Sequence, residues 1–77
     1  MQSLIEQLTE ILEDDSIPRN IKGKIENAVN ALNEKDKEDG FKANKALQEL
    51  DEISDDPNIP SYLRPQIWNI VSKLETL

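Results

Sequence analysis

Seventy-seven residues with a net charge of −7, from 16 acidic and 9 basic side chains, and without cysteine or histidine, exclude more than they specify. The chain suffices for one small domain burying about 60–65% of its unfolded surface, with no disulfide, thiolate ligand or imidazole for stapling or for nucleophilic and general-base chemistry. The acidic balance argues against nucleic acid, which is bound by Lys and Arg on phosphates, and fits a soluble protein or one that meets a basic partner.

The longest uncharged stretch is the eight-residue PQIWNIVS, Pro65–Ser72, too short to cross a membrane. The opening MQSLIEQLTE lacks the basic start and apolar run of a signal peptide, so a cytoplasmic location is expected.

Apolar residues recur at helical spacing in four segments. Leu4, Ile5, Leu8, Ile11 and Leu12 form the first stripe, and Ile21, Ile25, Ala28, Val29 and Leu32 the second. Ala43, Ala46, Leu47, Leu50 and Ile53 form the third, and Leu63, Ile67, Ile70, Val71 and Leu74 the fourth. No segment alternates with period two, so the chain reads as all-α, with each one-sided stripe facing a shared core.

The second half repeats the first at a shift of 42 residues. Leu8, Glu10, Ile11, Asp14, Ile17, Pro18, Ile25, Asn27, Val29 and Leu32 recur as Leu50, Glu52, Ile53, Asp56, Ile59, Pro60, Ile67, Asn69, Val71 and Leu74. These ten identities fall without a gap in 25 aligned positions, within a repeat placed at residues 4–33 and 46–75. Its unit is a helix, an acidic turn closed by Ile-Pro, and a second helix. One such hairpin cannot cover its own stripes, whereas two cover each other. The expectation is a single domain: an antiparallel four-helix bundle built from two related helical hairpins.

Ile before Pro is pushed into an extended conformation that stops the first helix, and Pro is tolerated where the next helix begins. Ile17 and Ile59 are placed to plug one end of the core. Asp15, Ser16, Asp56 and Asn58 offer side-chain oxygens to the following helix starts. Gly23 and Pro65 share a column and neither favours a helix interior, so helices two and four are expected to begin with an offset turn. Residues 33–40, NEKDKEDG, read as a charged linker, and Phe41 after it as a hydrophobic staple opening the third helix.

Features confined to one half are the better candidates for a task. Trp68 stands where the first half has Glu26, and Tyr62 where it has Asn20. Each lies about 120° from the centre of the fourth stripe, on opposite flanks. They read either as packing for a deeply buried helix or as a candidate interface for a protein partner or self-association. A polar face of Glu6, Glu10 and Glu13 on the first helix reads as solvated, or as a docking surface for a basic protein. The turn carboxylates Glu13, Asp14, Asp15, Asp55 and Asp56 could gather around a divalent cation, or pair with Arg19, Lys22, Lys24 and Arg64 as a structural device. Acid-base catalysis by two carboxylates needs a pocket that so small a bundle leaves little room for.

Residues 50–75, LDEISDDPNIPSYLRPQIWNIVSKLE, resemble the C-terminal signature of the archaeal uncharacterised protein family 0147. Leu50, Asp51, Glu52, Ile53, Ser54, Asp56, Pro57, Asn58, Pro60, Arg64, Ile67, Trp68, Ile70, Ser72, Leu74 and Glu75 carry the match, and ILEDDSIPRNIKGKIENA resembles it more loosely. Pro65 is the least expected residue against that pattern. The resemblance implies a small cytoplasmic helical bundle and brings no activity with it. The sequence thus reads as a non-enzymatic interaction or structural module with no cofactor, nucleic acid or membrane partner. A divalent-metal-binding protein using the acidic turns is the alternative.

Overall fold

Each of the four stripes becomes a helix in the computed structural model, which describes residues 2–76. The helices are α1 (Gln2–Leu12), α2 (Arg19–Leu32), α3 (Asp39–Ser54) and α4 (Leu63–Glu75), and there is no strand among the described residues. The fold is all-α and measures 33 × 19 × 18 Å. α2 and α3 share the most extensive contact, while α1 packs on α2 and α4 packs on α3.

A single apolar cluster draws on all four helices. It includes Leu8, Ile21, Ile25, Leu50, Ile53, Leu63, Ile67 and Leu74, whose side chains are wholly removed from water. Ile5, Leu12, Val29 and Leu47 are partly buried against it. Ile17 and Ile59, the apolar residues of the polar turns, are buried in the same cluster as their sequence context suggests. Ala28, Ala31, Ala43 and Ala46 are also buried, all on α2 or α3. Short side chains let two helix backbones approach closely, which accounts for the extent of the α2–α3 contact.

The structure corrects three local expectations. α3 begins at Asp39, so Asp39 and Gly40 are its first turn and the connection shortens to residues 33–38. Asp39 suits that position because a carboxylate is favoured at the positive end of the helix dipole. Phe41 is 48% exposed and staples nothing; the Lys37 and Lys45 ammonium groups lie 5.3 and 6.0 Å from its ring centroid. An exposed aromatic face is a ready site for such cation–π contact.

The third correction concerns the helix starts. α2 begins directly after Pro18, with Lys22 N–H donating to the Pro18 carbonyl at 3.0 Å, and runs unbroken through Gly23. α4 does begin late. Pro65 has no N–H to give the Ser61 carbonyl, so an α-helix cannot start at Ser61. A tight turn closed by Leu63 N–H on the Pro60 carbonyl (3.0 Å) precedes it instead, and Pro65 sits in the first turn of α4, where its missing donor is no loss.

Gly23 lies in regular helix, and a β-carbon there would meet nothing within 4 Å. Gly23→Ala is therefore expected to stabilise the chain by about 1 kcal/mol, measured by chemical denaturation. Ala28 is fully buried on α2, and its counterpart 42 residues on is Ile70. Ala28→Ile is expected to force α2 and α3 apart and to cost about 1–3 kcal/mol in the same assay.

Candidate functional site

The two acidic turns use their carboxylates in the same way. Asp14 Oδ1 accepts the Ser16 N–H at 2.9 Å and the Ser16 hydroxyl at 2.6 Å; Asp56 Oδ1 accepts the Asn58 N–H at 2.8 Å. Each aspartate thereby folds its own turn, a bond that Asp makes readily two residues ahead. Behind it, Ile17 N–H donates to the Asp14 carbonyl and Ile59 N–H to the Asp56 carbonyl, at 3.4 and 3.2 Å. None of α2, α3 and α4 has a side-chain N-cap bond; of the residues expected to cap, Ser16 and Asp56 bond within the turns and Asp15 faces Lys22.

The remaining carboxylate oxygens join the two halves of the chain. Tyr62 donates its hydroxyl to Asp14 Oδ2 at 2.6 Å, and Asn20 donates its amide N–H to Asp56 Oδ2 at 3.0 Å. Asn20 and Tyr62 stand 42 residues apart, as do Asp14 and Asp56, so the exchange is reciprocal. The Ser16 and Tyr62 hydroxyl oxygens are 2.7 Å apart. Each has one proton, and an ionised carboxylate is the stronger acceptor, so both protons point to Asp14. The hydrogen bonds of the Ser16 hydroxyl, Tyr62 and the Ser16 N–H hold the Asp14 carboxyl down at about 2, while donation to Asp14 raises the Tyr62 phenol above its ordinary value.

Pairing of the basic side chains is sparser than expected. Lys22 Nζ lies 3.8 Å from Asp15, and Lys24 Nζ lies 3.2 Å from Glu52 across α2 and α3. Arg19 and Arg64 make no salt bridge among the described residues. Nor does any group of three acidic side chains there converge to hold a metal ion.

Trp68 and Tyr62 occupy different surfaces. Trp68 is 74% exposed and lines a shallow cavity of about 350 Å³ with Ser54, Arg64 and Pro65. This overturns the reading in which Trp68 packs between helices. Tyr62, 47% exposed, lies on the other flank, at a groove of about 470 Å³ between α1 and α4. The structure thus presents two aromatic surfaces and no single patch. The sequence signal for the Tyr62–Asp14 bond is its column, Asn20 against Tyr62, which holds a polar donor in both halves.

The model of one protein family matches this chain over residues 1–77. The chain belongs to the Uncharacterised protein family UPF0147. Similar proteins include the UPF0147 proteins of Methanothermobacter thermautotrophicus, 43% identical over 94% of this chain and 71% of the relative, and of Methanocaldococcus jannaschii, 46% identical over 88% and 73%. A solved structure, the crystal structure of unknown function protein MMP1188, is 46% identical and superposes with a TM-score of 0.95 over 99% of this chain and 86% of that one. Membership of UPF0147 agrees with the C-terminal resemblance and assigns no activity.

Asp14 titrates lower in the folded chain than the ordinary carboxylate it becomes on unfolding. Its contribution to stability is therefore full above pH ~4 and is lost as pH falls toward 2. Tyr62→Phe removes one of its donors. Carboxyl NMR titration is expected to show the Asp14 pKa rising in that variant, with the acid limb of the stability curve becoming shallower.

Proposed function

We propose that this UPF0147 chain is a non-enzymatic cytoplasmic interaction module that docks a basic protein through the outer flank of α4, with Trp68 as anchor. The observation that carries the reading is the 74% exposure of Trp68 beside Arg64 and Pro65. A tryptophan left in water forgoes a large burial free energy, and Trp is the residue type most enriched among energetic anchors of interfaces. Tyr62, half-exposed on the opposite flank, supplies a second contact. The net charge of −7 on every copy opposes self-association and favours a partner of opposite charge.

The scaffold for this role is an antiparallel four-helix bundle made by duplication of one hairpin. The bonds Asn20–Asp56 and Lys24–Glu52 support opposed helices, because a step of four residues up α2 matches a step of four back along the chain, from the turn after α3 into its last turn. The repeated turn chemistry supports the duplication. A sequence without His or Cys supports a non-enzymatic role. A fold that needs no disulfide suits the reducing cytoplasm.

Trp68→Gln is expected to leave the circular dichroism spectrum and thermal midpoint unchanged while abolishing partner retention in a pull-down with the purified chain as bait. Equal retention by the wild type and the variant, or unfolding of the variant, would sink the reading.

A further inference from the structure

The 42-residue shift relates the α2–α3 seam to the α4–α1 seam, and the two are not closed alike. On the first, Lys24 pairs with Glu52 at 3.2 Å, and the buried Ala28 and Ala46 admit close backbone approach. Shifted by 42, Lys24 becomes Gln66 and Glu52 becomes Glu10; Ala28 and Ala46 correspond to the bulkier Ile70 and Leu4. Among the described residues Glu10 makes no salt bridge. The second seam is pinned at one end by Tyr62 on Asp14 and otherwise remains a groove of about 470 Å³. Glu10 and Asp14 line one side, Gln66 and Asn69 the other, with Ile11 and Ile70 below.

The charge around this groove is one-sided. Residues 2–18 carry Glu6, Glu10, Glu13, Asp14 and Asp15 and no Lys or Arg, and no cationic side chain lines the groove. Its α1 wall runs from Gln7 to Asp14, about 10 Å or two helical turns.

We propose that the α1–α4 groove is the docking site for a basic amphipathic helix of a partner protein. A Lys or Arg of the incoming helix pairs with Glu10 as Lys24 pairs with Glu52, while an apolar side chain reaches Ile11 and Ile70. This goes beyond the Trp68 reading, since it gives the partner segment a helical form with an apolar face and uses the other flank of α4.

The probe is a Leu/Lys amphipathic peptide of about 18 residues, long enough to be helical, added to the full isotope-labelled chain and followed by NMR. Shifts are expected at Gln7, Glu10, Gln66 and Asn69, and none with a Leu/Glu peptide. Glu10→Gln is expected to weaken binding roughly fivefold, as loss of one partly exposed ion pair would. Glu34→Gln, the same charge change in the α2–α3 connection, should leave binding unaltered. Gln66→Lys supplies the missing cation within the chain; it should raise the thermal midpoint and weaken peptide binding. Any of several results would overturn the proposal: no binding, shifts spread over all acidic surfaces, or equal weakening by Glu10→Gln and Glu34→Gln. Shifts of the groove residues on concentrating the chain without peptide would also overturn it, by giving the groove to a second copy. Trp68 is outside the groove and Glu10 is inside it, so substitutions at these two residues separate failure of one surface from failure of the other, with Tyr62 at the groove's edge left unchanged in both.

Discussion

The close approach of α2 and α3 is the contact on which the rest of the molecule depends. It joins the two halves of the chain, and buried alanines on both helices allow it. α1 and α4 pack outward from that pair, one on each member, and the apolar stripes of all four then merge into one cluster. A chain of this length has little surplus burial, so a methylene added at that contact is felt throughout.

Polar chemistry fixes the end of the molecule where the Ile-Pro turns lie. Asp14 and Asp56 each use one oxygen on their own turn and the other on a side chain from the opposite half. The turn is thus shaped locally and anchored remotely by the same carboxylate. Protein donors therefore occupy both carboxylate oxygens of Asp14 and of Asp56.

The broken symmetry is more informative about function than the symmetry. What the halves share, the stripes and the aspartate turns, is structural. What they do not share lies on or beneath the flanks of α4: Trp68 for Glu26 and Gln66 for Lys24 at the surface, and Ile70 for Ala28 in the core. These differences leave one seam closed and its counterpart open, and they put a large aromatic ring in water on the flank of α4 away from the open seam. Membership of UPF0147 frames this as a family whose fold is known and whose task is open.

Helical periodicity, the Ile-Pro stops and the 42-residue repeat determined four helices, their order and nearly every core residue, because burial of a one-sided stripe follows from local spacing. The column of Gly23 and Pro65 pointed to offset starts for both α2 and α4, and only α4, where Pro65 lacks the N–H, has one. Spacing could not decide whether Trp68 faced a neighbour or water, since a residue about 120° from the stripe centre lies on the boundary and its fate depends on how near the next helix comes. Nor could it show that Tyr62 and Asn20 exchange hydrogen bonds with Asp14 and Asp56, because those partners are 48 and 36 residues apart in the chain. Sequence fixed the faces of the helices through backbone periodicity; tertiary structure alone decided the distances between them, because those depend on the side chains that meet across each seam.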